Sequence, residues 1–317
     1  MVTRLLVTGA TGFIGKALGA SFEARPGVFL RKAVRSNYGA PIADNVVVVG
    51  GLNSRTDWTD AVHGLSCVIH AAAQASDPLN GQEASLSQLQ SVNVEGTLRL
   101  AQQAAEAGVR RFVFLSTAKV HGERSVRGRP FVETDPFQPE GPYARSKAEA
   151  EEALVALAKA SGMEVVIIRP PMVYSAHAAG NFGTLVRLVR SGLPLPIAAI
   201  SNQRSFLSLN NLVDFVWRCV QHPAAANQTF LVSDAADLST PDLVRAIQRS
   251  LGRGGYLLPV PERVLRLAFR AIRRPDIEQR LCDDFQLDIS KAQNMLQWVP
   301  PQRLENILSA GGKGQWN

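Results

Sequence analysis

A tyrosine and a lysine four residues apart, Tyr143 and Lys147, are the residues whose types and spacing best suit catalysis. In a helix, this spacing places both side chains on one face. A free phenol has a pKa of about 10 and is a poor acid or base near neutral pH. A neighbouring ammonium lowers that pKa. Tyr143 could then exchange a proton with a substrate oxygen while a hydride moves to or from the attached carbon.

A glycine-rich segment near the start of the chain predicts where a hydride carrier would bind. Gly9, Gly12 and Gly15 follow a short apolar run and precede an amphipathic stretch. The first glycine suits a tight turn, the second a close approach to pyrophosphate, and the third helix–strand packing. The helix that follows points its N-terminus at the phosphates. We therefore predict dinucleotide binding, with the positive nicotinamide ring further favouring a Tyr143 phenolate.

The choice of dinucleotide depends on the residues after the second predicted strand. An acidic residue there would hold the ribose 2′-hydroxyl of NAD, whereas an arginine would suit the 2′-phosphate of NADP. No Asp or Glu occurs between Glu23 and Asp44, and Arg35 and Ser36 stand in this region. A guanidinium binds phosphate well. The sequence favours NADP(H), while NAD(H) and an ordinary surface role for Arg35 stay open.

The elements that must position these residues alternate between strands and helices. Short apolar runs without period-two alternation predict buried parallel strands at 5–8, 29–34, 46–49, 67–70, 112–116 and 165–169. Helices are predicted at 15–24, 86–107 and 143–161. This order predicts an α/β fold, a doubly wound Rossmann sheet. We divide the chain into a nucleotide-binding domain at 1–174 and a small C-terminal substrate lobe at 175–317, parts of which return to the sheet.

Composition narrows the class of protein. The 317 residues are 46% hydrophobic and 19% charged, with a net charge of +7, typical of a globular chain. No apolar run reaches the roughly 18 residues of a membrane span, and the N-terminus lacks the features of a signal peptide. Three widely spaced cysteines show no metal-ligand spacing, so we predict no metal site and a cytoplasmic location. Basic residues are dispersed and aromatics are few, so nucleic acid is not an expected partner.

One later segment, 261–274, is predicted to form a basic amphipathic helix. The simple interpretation is a solvated helix with an apolar inner face. The alternative is a face that meets a membrane surface or a lipid-linked partner.

Taken together, these motifs resemble the extended short-chain dehydrogenase/reductase family, which includes nucleotide-sugar epimerases, dehydratases and reductases. The resemblance covers nearly the whole chain. It is carried by the glycine loop, His70-Ala-Ala-Ala73, Asn93-Val-Glu-Gly-Thr97, the Tyr143–Lys147 pair, Arg169-Pro-Pro-Met-Val-Tyr174, Asn181-Phe182, Arg204-Ser-Phe206, and Asp288-Ile-Ser-Lys291 with Leu296, Trp298 and Pro300.

The resemblance implies roles for individual residues. The catalytic set would be Thr117, Tyr143 and Lys147, although a hydroxyl at a strand end is more often a turn cap. The cofactor would be contacted by Gly9, Thr11, Gly12, Phe13, Ile14, Gly15, Arg35, Ser36, Leu52, Ala71, Ala72, Ala73, Asn93, Ser116, Tyr143, Lys147, Pro170 and Val173. The substrate would be contacted by Gln74, Thr117, Lys119, Asn181, Arg204 and Arg280.

Departures from the family pattern reduce the number of activities expected. Dehydratases carry Asp-Glu directly after the catalytic threonine, where this chain has Ala118 and Lys119, so a 4,6-dehydratase is not expected. His121 stands where a tyrosine is common, and we interpret it as a packed local histidine.

The segments after residue 180 look most like bacterial reductases and epimerases of surface-polysaccharide sugars. We therefore predict a UDP-4-keto-6-deoxy-N-acetylhexosamine 4-reductase that binds a UDP-sugar and forms a homodimer. The alternatives are a UDP-hexose 4-epimerase, a dihydroflavonol or hydroxysteroid type of reductase, and a non-catalytic NAD(P)-sensing regulator.

Overall fold

A seven-stranded parallel sheet is the central feature of the computed structural model, which describes residues 2–36, 44–75, 84–175, 180–252 and 254–303. Its strand order is β3-β2-β1-β4-β5-β6-β9, and β7 pairs with β8 in a separate parallel ribbon. The strands of the described chain are β1 (Thr3–Thr8), β2 (Val28–Val34), β3 (Val46–Val48), β4 (Cys67–His70), β5 (Arg111–Leu115), β6 (Glu164–Arg169), β7 (Met172–Tyr174), β8 (Phe206–Ser208) and β9 (Thr229–Leu231).

The six strands predicted from apolar runs are confirmed, and the burial of the central strands explains why the pattern worked there. Every residue of β4 and β5 is buried, because helices cover both faces of the sheet. The sequence analysis did not identify β7, β8 and β9. Each of these has three residues, which is too short to establish a pattern.

Helices α1 to α7 lie between strands along the chain, and α8 to α11 follow β9. Their bounds are α1 (Phe13–Glu23), α2 (Thr59–Val62), α3 (Leu86–Leu89), α4 (Gly96–Glu106), α5 (Pro142–Ser161), α6 (Gly180–Arg190), α7 (Leu209–Gln221), α8 (Thr240–Ser250), α9 (Glu262–Ala271), α10 (Pro275–Cys282) and α11 (Ser290–Leu296). The helix predicted at 86–107 is interrupted, because a π-helical turn at Gln90–Glu95 separates α3 from α4. Such turns often mark functional positions.

Two apolar layers enclose the main sheet. On one face, Phe22 of α1, Phe215 of α7 and Leu296 of α11 belong to one buried cluster. On the other face, Leu100 of α4 and Leu154 of α5 belong to a second cluster. Three elements that follow residue 175 belong to this part of the structure, namely β9, α7 and α11.

A third buried cluster lies apart from the sheet. It joins Tyr174, Phe182 of α6, Ile247 of α8 and Leu265 of α9. We retain the division near residue 175 as a proposal. Among the described residues, no helix combines the length and apolarity needed to cross a bilayer.

Candidate active site

The glycine loop forms a cradle at the carboxyl edge of the sheet, between β1 and β4. Gly9 has a φ of +68°, and a Cβ there would lie 2.8 Å from the backbone nitrogen of Ala72. A Cβ on Gly15 would lie 2.0 Å from the carbonyl oxygen of Gly9. Larger residues at these two positions would push α1 and the loop after β4 away from β1. The glycines therefore maintain a close backbone approach at the point where the chain order of the sheet reverses.

The N-terminus of α1 suits a pyrophosphate. Gly12 is its N-cap and supplies no side-chain hydrogen bond, and the first turn has no acidic residue. The first amides, at Phe13, Ile14 and Gly15, therefore lack intrahelical acceptors and form the positive end of the helix dipole. Thr11 and Gly12 are exposed beside them. This donor set fits the dinucleotide that the sequence predicts.

His70 ties the first strand to α4 behind this cradle. Its Nδ1 and the hydroxyl of Thr8 lie 2.7 Å apart, and its Nε2 lies 2.9 Å from the hydroxyl of Thr97. The ring is fully buried and stacks on Phe114. Burial and the charge of Lys147 lower the pKa of His70 to about 3, so this histidine stays neutral and has a structural role.

Asn93 links the cradle to α5 through the π-helical turn. Its side-chain oxygen accepts from the backbone of Gln74 at 2.8 Å, and its amide donates back to the Gln74 carbonyl at 2.9 Å. The same amide donates to Ser146 Oγ at 2.9 Å, and Ser146 donates to the Tyr143 carbonyl at 2.8 Å. Gln74, Asn93 and Tyr143 are thus joined by one chain of hydrogen bonds.

Tyr143 and Lys147 lie in the first two turns of α5, which begins at Pro142. Proline suits this position because its missing N–H would have no intrahelical partner. Lys147 is 1% exposed, and its Nζ lies 3.8 Å from the centre of the Phe114 ring at the end of β5. The predicted helical pair is therefore formed next to the strand that leads into Thr117.

The pKa of Tyr143 shifts in the opposite direction to the one expected from the sequence. Burial raises the pKa of Tyr143 to about 12, whereas the sequence argument expected Lys147 to lower it. Burial lowers the pKa of Lys147 to about 7, and the carboxylate of Glu151 opposes that shift. In the protein alone, desolvation is the cause of the raised Tyr143 pKa. The positive nicotinamide ring that the sequence argument also invoked would act in the opposite direction when the cofactor is bound.

A buried polar network behind α5 was not predicted. Ser116 Oγ donates to Glu151, and Arg169 donates to Glu151 from Nε at 3.0 Å and from Nη2 at 2.6 Å. Arg169 also donates to Nε2 of His121 at 2.9 Å, so His121 is packed locally, as interpreted. Glu151 lies four residues after Lys147, and this repeated spacing is the sequence signal that could have identified it.

Ser116 and Thr117 differ in what their hydroxyls contact. The Ser116 hydroxyl donates its proton to Glu151, so Ser116 could contact a cofactor only through the lone pairs of that hydroxyl or through its backbone. Thr117 is 9% exposed and caps the short 3-10 helix Ala118–His121, where its Oγ1 accepts from the Lys119 amide at 3.3 Å. The Lys119 ammonium pairs with both carboxylate oxygens of Glu123 at 2.8 Å. A substrate would have to compete with Glu123 for the Lys119 ammonium.

Two predicted substrate-binding arginines come close together in the C-terminal part. Arg204 donates from Nη1 to the Asp283 carbonyl at 2.8 Å, and its guanidinium lies 5.4 Å from the Phe285 ring. Burial lowers the pKa of Arg204 to about 10, and the positive charge of Arg280 acts in the same direction. Arg280 has no hydrogen bond or ion pair within the described part of the chain. The side chain of Asn181 lies outside the described residues.

The remaining predicted cofactor residues follow the carboxyl ends of β2, β3, β4 and β6, except Val173, which lies in β7. Arg35 and Ser36 are exposed just beyond β2. Leu52 is half-buried in the loop after β3. A Cβ on Gly96 would lie 2.9 Å from the carbonyl carbon of Leu52, so the start of α4 packs closely against this loop. The Pro170 carbonyl accepts a hydrogen bond from the Ala118 amide at 2.9 Å. The other members of the set, all partly accessible, are Ala71, Ala73 and Val173.

The sheet, the glycine cradle and the pair of half-buried Tyr143 and buried Lys147 define a dinucleotide-dependent enzyme with a Rossmann fold. The profile of the NAD dependent epimerase/dehydratase family matches residues 5–233. This chain belongs to that family.

Individual relatives support the same assignment. A UDP-glucose 4-epimerase of Vibrio cholerae is 42% identical over 307 residues, which cover 96% of this chain and 93% of the relative. An N-acetyl-α-D-glucosaminyl-diphospho-ditrans,octacis-undecaprenol 4-epimerase of Escherichia coli O157:H7 is 26% identical over 80% of this chain and 74% of its own length. A solved UDP-glucuronic acid 4-epimerase of Bacillus cereus, in complex with NAD, shares the fold with a TM-score of 0.77, at 18% identity and 97% coverage of both chains.

Proposed function

We propose that this protein is a UDP-sugar 4-epimerase. The observation that supports this most directly is the 42% identity to the Vibrio cholerae UDP-glucose 4-epimerase across nearly the whole chain. The sequence analysis placed a 4-ketoreductase first and the epimerase second. The relatives favour the second of these, and Thr117, Tyr143 and Lys147 serve either reaction.

The chemistry follows from where the side chains lie. Bound NAD would supply a hydride acceptor and donor, together with a positive charge beside the phenol. Tyr143 accepts the proton of the C4 hydroxyl as hydride leaves C4, which gives a 4-keto sugar. Thr117 holds the C4 oxygen, and Lys147 stabilises the Tyr143 phenolate. Tyr143 returns the proton after the sugar has presented its opposite face.

The nucleotide end of the substrate would meet the Arg204–Arg280 pair. Arg280 lacks a carboxylate partner among the described residues, and Arg204 bonds only to main-chain carbonyls there. Two guanidiniums arranged in this way suit a diphosphate, which accepts charge-assisted bonds. Ala118 and Lys119 in place of an acidic pair argue against 4,6-dehydration.

Cofactor retention separates the epimerase from the reductase. An epimerase returns the hydride to its own substrate and gains from holding NAD tightly, whereas a reductase must exchange its cofactor every turnover. We propose that the enzyme purifies with NAD and that exposed Arg35 is a surface residue.

The test is mass spectrometry of the nucleotides released from purified protein, followed by incubation with UDP-glucose or UDP-N-acetylglucosamine and no added cofactor. We expect bound NAD and the matching C4 epimer. Tyr143→Phe is the control, because it should retain NAD and lose conversion.

The opposite result would restore the reductase hypothesis. In that case the protein purifies without cofactor, consumes NADPH with a UDP-4-keto sugar, and binds NADPH at least about tenfold tighter than NADH, a difference of about 1.4 kcal/mol. Arg35→Asp would then reverse the preference.

Assembly and location belong to the same proposal. We propose a homodimer formed through the 86–107 segment and α5, where Leu86 and Val155 are 71% and 40% exposed. We also propose that the enzyme acts in the cytoplasm.

A further inference from the structure

Helix α9 leaves an apolar face uncovered. Val264, Leu267 and Ile272, which directly follows the helix, are 55%, 69% and 63% exposed. Only Leu265 of this helix is fully buried, and it anchors α9 to the third apolar cluster. The simple interpretation of a solvated helix would place these large side chains inward. In the structure they point outward instead.

The exposed apolar residues form one continuous strip. With about 100° between successive residues of a helix, Val264 and Leu267 fall on one side together with Ala268 and Ala271. All four are exposed. The buried Leu265 and half-buried Phe269 lie towards the opposite side. One helix thus has an anchoring side and an outward apolar side.

Arginines border the outward strip. Arg263, Arg270, Arg273 and Arg274 are exposed in and after α9, and Arg270 pairs with Glu278 of α10 at 3.0 Å. Glu262, the one acid of α9, pairs with Arg266 at 2.8 Å. Arg263 has no ion pair within the described part of the chain. The border of the strip is therefore rich in positive charge, while Glu262 and Glu278 are each engaged by an arginine.

We infer that α9 docks the enzyme on an anionic lipid bilayer. An amphipathic helix with large apolar side chains on one face and arginines beside it lies in the interface, with the apolar face among the acyl chains and the cations at the headgroups. Anionic headgroups match the arginine border. A nucleic acid would use the arginines but not the apolar strip.

The docking surface adjoins the predicted diphosphate site. Arg266 of α9 pairs with the Asp283 carboxylate at 2.8 Å, and the Asp283 carbonyl accepts from Arg204. A helix held at a bilayer would therefore place Arg204 close to that surface. This inference does not depend on which sugar is converted, or on whether the enzyme is an epimerase or a reductase.

The experiment is co-sedimentation of the full-length protein with vesicles of phosphatidylcholine alone or mixed with phosphatidylglycerol. We expect binding to the mixed vesicles that weakens as salt screens the arginines. The double variant Val264→Gln/Leu267→Gln and the single variant Arg263→Glu should each bind at least about tenfold more weakly.

Matched controls keep the result specific. Val299→Gln alters another apolar side chain, 70% exposed, and Lys159→Glu makes the same charge change at an exposed position of α5. Both should bind as the wild type does. All variants change exposed positions, so circular dichroism should report an unchanged fold.

Three results would overturn the inference. One is wild-type binding that is no stronger to mixed vesicles than to phosphatidylcholine. A second is equal binding by the α9 variants and the wild type. In the third result, the wild type binds neither vesicle type, and light scattering shows that it forms an assembly. The Val264→Gln/Leu267→Gln variant dissociates from this assembly. That third result would assign the strip to a second copy of the chain.

Discussion

Helices α5 and α9 depart from the usual distribution of side chains in opposite directions. Within α5, Lys147 and Glu151 are each 1% exposed, while in α9 Leu267 is 69% exposed. Buried charges and exposed apolar groups both raise the free energy of a fold unless something compensates. In α5 the compensation is visible as Arg169, Ser116 and the Phe114 ring. In α9 no such compensation is visible among the described residues, and we propose that it comes from a binding partner outside the chain.

The largest expected effect tests the catalytic role proposed for α5. Tyr143→Phe should lower turnover by about 100- to 10,000-fold, because it removes the group that exchanges a proton with the substrate. Binding of cofactor and the thermal unfolding midpoint should stay near wild-type values. Steady-state kinetics measure the loss, and turnover within twofold of wild type would remove Tyr143 from the catalytic set.

Breaking the buried network should affect folding next most strongly. Glu151→Gln leaves Arg169 without its carboxylate partner, and such losses cost about 3–5 kcal/mol. Urea unfolding gives the free energy of unfolding, and Glu152→Gln, at an exposed position of the same helix, is the control, with an effect within about 0.5 kcal/mol.

Glu151→Gln has a second consequence, at Lys147. Because the Glu151 carboxylate raises the pKa of Lys147, its removal should lower that pKa and move the pH–rate profile. A variant as stable as wild type and with an unchanged profile would show that Glu151 neither supports the fold nor acts on Lys147.

A pair of leucines compares the two helices directly. Leu154 of α5 is fully buried and Leu267 of α9 is mostly exposed. Leu154→Ala should lower the free energy of unfolding by about 2–5 kcal/mol, since it leaves a cavity. Leu267→Ala should change it by less than about 0.5 kcal/mol. A large loss from Leu267→Ala would mean that α9 packs against the rest of the chain after all.

The smallest effect concerns pH. The folded protein holds His70 neutral, with a pKa of about 3 instead of 6.5. Between these values the unfolded chain binds more protons, so stability is retained above pH 6.5 and falls as the pH drops towards 3. The contribution is at most about 1.4 kcal/mol per pH unit. His70→Gln should reduce that slope in urea unfolding between pH 6.5 and 5, and an identical slope would contradict the assignment.

Sequence reasoning worked where one physical requirement dominated a segment. Gly9 and Gly15 must approach other backbone atoms closely, and the runs of β4 and β5 must be buried on both faces, so the pattern alone predicted the cradle and the buried parallel strands around it. The spacing of Tyr143 and Lys147 likewise predicted a shared helix face.

It failed where the outcome depended on partners distant in sequence. The spacing from Lys147 marks Glu151 in the sequence, but its role becomes clear only where Arg169 and Ser116 converge on it. The direction of the Tyr143 pKa shift depends on how strongly the fold desolvates that side chain. The exposure of the α9 strip also could not be deduced, because an amphipathic pattern does not say which side is covered.

The pairing of β9 with β6 also shapes how the chain is made. Ile167, Ile168 and Arg169 bond to Thr229, Phe230 and Leu231, so the last strand of the sheet is synthesised only after β7, β8, α6 and α7. Until then β6 presents an open edge rich in Val and Ile, the kind of edge that pairs with other chains. A chain that stops between β6 and β9 would therefore keep this edge open to pairing with other chains.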